Sequence, residues 1–148
     1  MAYLKLLIVD DEERFLKTTK TLLEKKGVAT LTDRNGMDAL KTLQETRVDV
    51  VVLDVKMPGL DGVDVLREIK RDHPLVEVIM LTGHASVESA IEGLKLGAFD
   101  YLMKPCDIST LVEKVNEAFD KKESAEEKIR QAKLKKIIKH PAAVFEED

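Results

Sequence analysis

Side chains that bind metals and phosphoryl groups recur directly after short apolar runs of this sequence. The first run is followed by Asp10 and Asp11, and later runs end in or are followed by Asp54, Thr82 and Lys104. Each of these residues alone has an ordinary explanation, such as a helix start, a turn or a surface position. They point to chemistry only if the fold brings them together.

The apolar runs alternate with segments of helical spacing, and this alternation predicts where those residues lie. Five runs rich in Val, Ile and Leu are predicted strands: 4–9, 28–31, 48–53, 76–81 and 99–103. Five helices are predicted between and after them, and their apolar faces are Phe15, Leu16, Thr19, Leu22 and Leu23; Met37, Leu40 and Leu43; Leu66 and Ile69; Val87, Ala90, Ile91 and Leu94; and Ile108, Leu111, Val112, Val115 and Phe119. Nearly continuous apolar strands joined through helices predict an α/β fold with a doubly wound, five-stranded parallel sheet. Rossmann-type and flavodoxin-type strand orders both fit this pattern.

In such a sheet, ligands bind at the carboxyl ends of the strands, where all five polar side chains are expected to meet. Asp10, Asp11 and Asp54 bring three negative charges to this edge, and Lys104 returns one positive charge. Two like charges about 4 Å apart repel by roughly 4 kcal/mol at an effective dielectric constant of 20. The excess of carboxylates therefore predicts a divalent cation, and oxygen ligands suit Mg²⁺. Because an aspartate can also act as a nucleophile towards phosphorus, the set predicts a phosphoryl-transfer site.

Four motifs in this order resemble the receiver domain of two-component response regulators, a chemotaxis-regulator-like fold. The motifs are Asp10-Asp11, Asp54-Val-Lys-Met-Pro-Gly59 with Gly62, Thr82-Gly-His-Ala, and Asp100-Tyr-Leu-Met-Lys-Pro105. The resemblance covers residues 3–120. The run Gly-Ala-Phe-Asp-Tyr-Leu before Lys104 is most similar to receivers of enhancer-binding transcriptional activators.

This resemblance implies the strand order 2-1-3-4-5 and a phospho-acceptor function for Asp54, with a sensor histidine kinase as the donor. It implies that Asp11, Asp54 and the backbone carbonyl of Lys56 bind Mg²⁺ directly, with Asp10 acting mainly through water. It further implies the remaining site roles, which are phosphoryl-oxygen contacts from Thr82 and Lys104, an aromatic switch at Tyr101, and a cis peptide bond before Pro105. Cys106 departs from the aromatic residue that often follows this proline in such activators.

Two other classes of protein compete with this interpretation. A Mg²⁺-dependent phosphatase with an aspartate nucleophile is expected to carry an Asp-x-Asp-x-Thr/Ser motif after the first strand, whereas Asp10 and Asp11 are adjacent here. A flavin-binding electron carrier needs a loop rich in glycine and hydroxyl groups at that position, and the sequence has Asp-Asp-Glu-Glu. We therefore expect a regulatory phospho-acceptor, with self-catalysed phosphorylation and dephosphorylation only, rather than an enzyme.

Charge divides the chain of 148 residues, whose net charge is −4, into three parts. Residues 1–120 carry 16 Lys/Arg and 22 Asp/Glu, a net charge of −6, whereas residues 121–140 carry 8 and 3, a net charge of +5. The last eight residues carry 0 and 3, a net charge of −3. We predict a receiver domain at 1–120 and a basic helical extension with a frayed tail at 121–148, the helix ending before Pro141. Lys122 and Lys136 in its heptad seam make a poor coiled coil. The acidic domain is not expected to bind nucleic acid.

The remaining expectations concern location and assembly. No apolar run approaches the roughly 20 residues that span a bilayer, and the N-terminus has no secretion signal, so we expect a cytoplasmic protein without membrane contact. The single cysteine excludes an internal disulfide. Phosphorylation is expected to change the face of helix 4, strand 5 and helix 5, extended by the C-terminal helix, which we predict to be a surface for a homodimer or for another partner. The ending Ala-Ala-Val-Phe-Glu-Glu-Asp slightly favours a free-standing receiver over a fragment.

Overall fold

Five strands and five helices alternate along the chain in a computed structural model, which describes residues 3–57, 59, 61–83 and 86–139. The strands and helices are β1 (Lys5–Val9), α1 (Glu13–Lys25), β2 (Ala29–Asp33), α2 (Gly36–Glu45), β3 (Val50–Leu53), α3 (Gly62–Asp72), β4 (Glu77–Thr82), α4 (Val87–Lys95), β5 (Asp100–Met103) and α5 (Ile108–Lys139). All strand pairs are parallel, and the order is β2-β1-β3-β4-β5. The predicted fold class and strand order are confirmed, and the predicted strand bounds differ by one or two residues.

Alternate residues of the strands form two apolar cores, one on each face of the sheet. Leu7 and Val9 face a core that α2 and α3 complete, whereas Leu6 and Ile8 face a core completed by α1 and α5. This division follows from strand geometry, because successive side chains point to opposite faces. Burial on both faces explains why the strand sequences are apolar throughout.

The apolar face predicted for α4 is wrong. Val87, Ile91 and Leu94 are exposed by 76%, 49% and 50%, and Gly93 is the buried residue of this helix. A Cβ placed on Gly93 would lie 3.7 Å from Met80 of β4, so α4 lies against the sheet along its small residues. Leu22 of α1 and Met37 of α2 are also exposed, contrary to prediction.

Helix α5 continues past Phe119 as predicted and has 32 residues. Its buried side chains are Leu111, Val115, Ala118 and Lys122, which lie on the face towards the sheet. Residues 127–139 are exposed all round. Pro141 and the predicted frayed tail lie outside the described residues. Within the described part of the chain, no helix is both long enough and apolar enough to cross a membrane.

Candidate functional site

Four strands deliver the polar residues to one edge of the sheet. Asp10 follows β1, Asp54 follows β3, Thr82 ends β4 and Lys104 follows β5. Backbone hydrogen bonds align these ends, since Asp54 N donates to Val9 O at 3.0 Å and Lys104 N to Thr82 O at 2.9 Å. The sheet register therefore sets the spacing of the site, as expected for the carboxyl edge of a parallel sheet.

Lys104 is held by an ion pair with Asp10, whose carboxylate is 1% exposed. The Lys104 Nζ–Asp10 Oδ2 distance is 2.5 Å, and the other oxygen of Asp10 accepts a hydrogen bond from Glu12 N at 2.9 Å. Glu12 also lies 3.3 Å from the ammonium, and the Phe15 ring centroid lies 4.0 Å from it. Burial lowers the pKa of Lys104, but the hydrogen bond and charge of Asp10 outweigh it, and the net pKa is raised. The lysine is therefore a fixed cation.

Asp54 is a buried carboxylate with too few partners. It is 4% exposed, and its Oδ1 atom has no hydrogen-bond partner among the described residues. Burial raises its pKa, as do the charges of Asp10 and Asp11, while the hydrogen bond from Thr82 and the charge of Lys104 act in the opposite direction. The net pKa is raised because burial, together with the neighbouring carboxylates, outweighs these two contacts.

A metal ion fits this group of oxygens. One carboxylate oxygen each of Asp10, Asp11 and Asp54 lies within 4.8 Å of the others, and Asp11 is exposed at the mouth of the site. Three carboxylates of this kind, one with an unpartnered oxygen, make a donor set suited to a hard divalent cation such as Mg²⁺. The residues present are therefore compatible with the predicted cofactor.

The loop after Asp54 folds tightly against the strand that carries it. Gly62 N donates a hydrogen bond to Val55 O at 2.7 Å. A Cβ on Gly62 would lie 2.2 Å from Asp54 O and 2.7 Å from Val55 Cα, so only glycine fits here. Lys56 lies in this loop with an exposed side chain. Pro58, His84 and Ala85 of the predicted motifs lie outside the described residues.

Tyr101 lies on β5, and Pro105 lies just after this strand. Tyr101 is partly buried and packs against the core on the α2–α3 face, whereas Leu102 packs on the opposite face. The tyrosine hydroxyl is 3.5 Å from Ser89 Oγ of α4. The Lys104–Pro105 peptide bond is cis, and Cys106 is partly buried.

Two contacts at this site, those of Glu12 and Phe15 with Lys104, were not indicated by any sequence pattern.

The buried carboxylates at the opposite, amino edge of the sheet had no predicted role either. Asp49, fully buried, pairs with Lys122 of α5 at 2.8 Å. Glu77 pairs with Lys121 at 3.5 Å. The one available signal was that Asp49 interrupts an apolar run.

Comparisons with known proteins agree with this fold and site. A family model described as the response regulator receiver domain matches residues 6–116. The regulatory protein AtoC of Escherichia coli K12 is 38% identical over 107 residues, which are 72% of this chain and 23% of that protein. A putative NtrX-like response regulator of Rickettsia conorii is 40% identical over 114 residues, 76% of this chain and 24% of the relative. The chain thus spans about a quarter of the length of these curated relatives.

Solved structures give the same result. A receiver domain from Clostridium thermocellum has a TM-score of 0.79 at 41% identity, covering 82% of this chain and 98% of that one. A CheY-like receiver from Methanospirillum hungatei has a TM-score of 0.80 at 31% identity, covering 84% and 99%. The class defined by this fold and site is the signalling module of two-component systems. This chain belongs to the response regulator receiver domain family.

Proposed function

We propose that Asp54 accepts a phosphoryl group from a histidine residue of a sensor kinase. The observation that supports this most is the buried, raised-pKa carboxylate of Asp54, with one unpartnered oxygen beside a fixed cation. An Asp54 oxygen attacks phosphorus, so that a P–O bond forms as the N–P bond of the phosphohistidine breaks. The bonding pair returns to the imidazole nitrogen, and the product on this chain is an acyl phosphate.

The neighbouring residues have separate roles in this proposal. Lys104 and Thr82 contact the phosphoryl oxygens, where charge builds up during transfer. Asp10 keeps the Lys104 ammonium in place through their 2.5 Å contact. Asp10, Asp11, Asp54 and the Lys56 carbonyl would hold Mg²⁺, which, when bound, supplies positive charge against the incoming phosphoryl group.

We propose that phosphorylation changes the surface formed by α4, β5 and α5. Val87, Ile91 and Leu94 of α4 and Met103 of β5 are all at least 49% exposed there, an apolar surface that fits a second copy of the receiver. Tyr101 lies between the Ser89 side of α4 and the core, so its amphipathic ring has two acceptable positions. Movement of Thr82 towards a phosphoryl group would change the space available to that ring.

The division into a receiver domain at 1–120 and a basic helical extension at 121–148 is part of this proposal. The receiver acts as a regulatory phospho-acceptor in the cytoplasm, without direct binding of nucleic acid by the receiver itself. Family membership favours this interpretation over the phosphatase and flavin-carrier alternatives.

Intact-mass measurement after treatment with acetyl phosphate and Mg²⁺ tests the phospho-acceptor. We expect one added phosphoryl group on the wild-type chain and none on Asp54→Asn. Asp64→Asn, an exposed carboxylate change on α3, is the matched control and is expected to behave as wild type. Full phosphorylation of Asp54→Asn would refute the assignment.

Sedimentation with and without beryllofluoride, a mimic of the acyl phosphate, tests the surface. We expect the mimic to raise the mass of the wild-type protein and not that of Ile91→Glu. An unchanged mass, together with unchanged amide exchange over residues 86–103, would contradict a switch at this surface.

A further inference from the structure

The last twelve described residues of α5, 128–139, form a segment of unusual charge, here called the basic segment. It contains six Lys or Arg residues and no Asp or Glu. The preceding body of the protein, residues 1–120, carries the opposite net charge of −6. Among the described residues, Lys128, Lys133, Lys135 and Lys139 make no ion pair. The basic segment therefore presents positive charge that the other described residues do not neutralise.

Apolar side chains occupy the opposite side of the same helix. At 100° per residue, Lys128, Lys135 and Lys139 cluster on one side of the axis. Leu134, Ile137 and Ile138 lie on the other side and are exposed by 49%, 45% and 70%. Arg130 lies between Ile137 and Leu134 on that side, and Lys133 lies next to Ile137. The basic segment is thus partly amphipathic, and all of it is exposed. The long side chains of Arg130 and Lys133 can keep their charged ends at a polar boundary while the apolar residues beside them are buried.

Helix α5 is packed against the rest of the protein only in its first half, and the basic segment extends beyond that contact. Lys122 is anchored to the buried Asp49 at 2.8 Å and to Glu126 at 3.1 Å, and the buried face of α5 ends there. From Ile129 to Lys139 the helix rises about 15 Å at 1.5 Å per residue. This exceeds the Debye length of about 8 Å at physiological ionic strength, so the charge of the acidic body is largely screened at the helix end.

We propose that the basic segment binds the surface of an anionic phospholipid bilayer. Lysines on an amphipathic helix are attracted to anionic headgroups, while the apolar side enters the boundary between headgroups and acyl chains. Such a surface uses both faces of the segment. A nucleic acid duplex would leave Leu134, Ile137 and Ile138 bare, and pairing with a second basic segment would bring like charges together.

This contact is peripheral and does not need the phosphorylation chemistry proposed above. It differs from the expectation of no membrane contact, which rested on the lack of a spanning segment. A helix that lies on a bilayer needs no such segment, since charge and a few apolar side chains are enough for reversible binding.

Co-sedimentation of the full chain with vesicles tests the proposal. One set of vesicles is an equal mixture of phosphatidylglycerol and phosphatidylcholine, and the other is phosphatidylcholine alone. Each is measured at about 50 and about 150 mM NaCl, because the higher salt concentration screens the attraction between lysines and headgroups more strongly. We expect at least about tenfold stronger partitioning to the anionic vesicles, weakened at the higher salt concentration. Equal partitioning to both vesicle types, or none to either, would overturn the proposal.

Two variants separate the charged face from the apolar face. The triple variant Lys128→Gln, Lys135→Gln, Lys139→Gln is expected to bind about 100-fold more weakly, from about 1 kcal/mol per lysine near an anionic surface. Leu134→Ser with Ile138→Ser keeps the charge and is expected to lose about tenfold. Undiminished binding of this double variant would contradict insertion of the apolar face.

Two controls complete the test. Lys25→Gln, Lys26→Gln, Lys41→Gln removes the same charge from exposed positions at the end of α1 and on α2 and is expected to bind as wild type. Loss of binding in this variant would show that net charge alone, not the basic segment, is responsible. A short DNA duplex of mixed sequence is offered in the same buffer, and tighter binding to it than to the anionic vesicles would assign the segment to nucleic acid instead.

Discussion

Replacing Asp54 by asparagine is expected to stabilise the metal-free protein at neutral pH. The substitution keeps the shape of the side chain but removes a buried charge whose Oδ1 atom has no partner among the described residues. Burial raises the pKa of Asp54, and the carboxylates of Asp10 and Asp11 raise it further. The folded state therefore carries a cost that the unfolded chain does not have.

The size of this effect follows from the geometry of the carboxylates. Oxygens of Asp10 and Asp54 lie within 4.8 Å, where two negative charges repel by about 3.5 kcal/mol at an effective dielectric constant of 20. Lys104 and the Thr82 hydroxyl offset part of this repulsion. A net gain of about 1–2 kcal/mol is expected for Asp54→Asn, which corresponds to a Tm increase of about 2–8 °C for a chain of this size.

The pH dependence has a definite sign. Because the folded pKa of Asp54 lies above its ordinary value of 3.8, the wild type loses stability as pH rises from about 4 to the folded pKa. Above that pKa the penalty is constant. The asparagine side chain of the variant does not titrate, so the Tm difference between the two proteins should be near zero at about pH 4 and reach its maximum by neutral pH.

Thermal melts in EDTA between about pH 4 and neutral pH, repeated with Mg²⁺, measure both effects. Mg²⁺ at ten times its Kd should stabilise the wild type by about 1.4 kcal/mol, and Asp54→Asn by less. Asp64→Asn, which removes an exposed charge, should shift the Tm little at any pH. A variant Asp54→Asn that melts below wild type in EDTA, or a difference independent of pH, would refute the reasoning.

Other predictions concern backbone packing and the anchor of α5. Gly62→Ala should destabilise by about 3 kcal/mol in urea unfolding, since its Cβ meets backbone atoms, whereas Gly93→Ala has room in its helix and should stabilise slightly. Lys122→Met should cost about 3 kcal/mol because Asp49 stays buried with fewer partners. The double variant Lys122→Met with Asp49→Asn should be more stable than Lys122→Met alone, because the unpaired charge is removed. A double variant as unstable as Lys122→Met would contradict the pairing. Lys128→Met, an exposed change on the same helix, should be neutral within about 0.5 kcal/mol.

The sheet and the gathering of site residues were predictable because strand periodicity and parallel topology determine them together. Five apolar runs separated by helical segments permit few arrangements, and a residue that follows a strand has to lie at the carboxyl edge. Asp10, Asp54, Thr82 and Lys104 needed no side-chain information to be placed there. The strand order itself came from the resemblance to receivers, because periodicity alone left two orders open.

The exposed face of α4 and the contacts of Lys104 were not predictable in the same way. Apolar spacing in α4 marks Val87, Ile91 and Leu94 as one stripe, but which stripe faces the sheet depends on how closely the helix backbone can approach. In the structure Gly93 faces the sheet near Met80, and the stripe faces solvent. Glu12 reaches Lys104 from 92 positions away in the sequence, and Phe15 from almost as far, a separation at which local patterns carry no information.

Strand β3 has a buried aspartate at each end, and the two differ in how their oxygens are partnered. Asp49, just before the strand, accepts from Lys5 N at 2.9 Å, Arg47 at 3.2 Å and Lys122 at 2.8 Å, so both of its oxygens are used. Asp54, just after it, leaves Oδ1 without a partner among the described residues, and other carboxylates stand beside it. Both residues are buried aspartates, so what distinguishes them is the number of hydrogen-bond and ion-pair partners that the fold gives to each. The charge of Asp49 is compensated by its partners, and this residue anchors α5. The charge of Asp54 is not fully compensated, so this residue is suited to binding a cation and, in the proposed function, to attacking phosphorus.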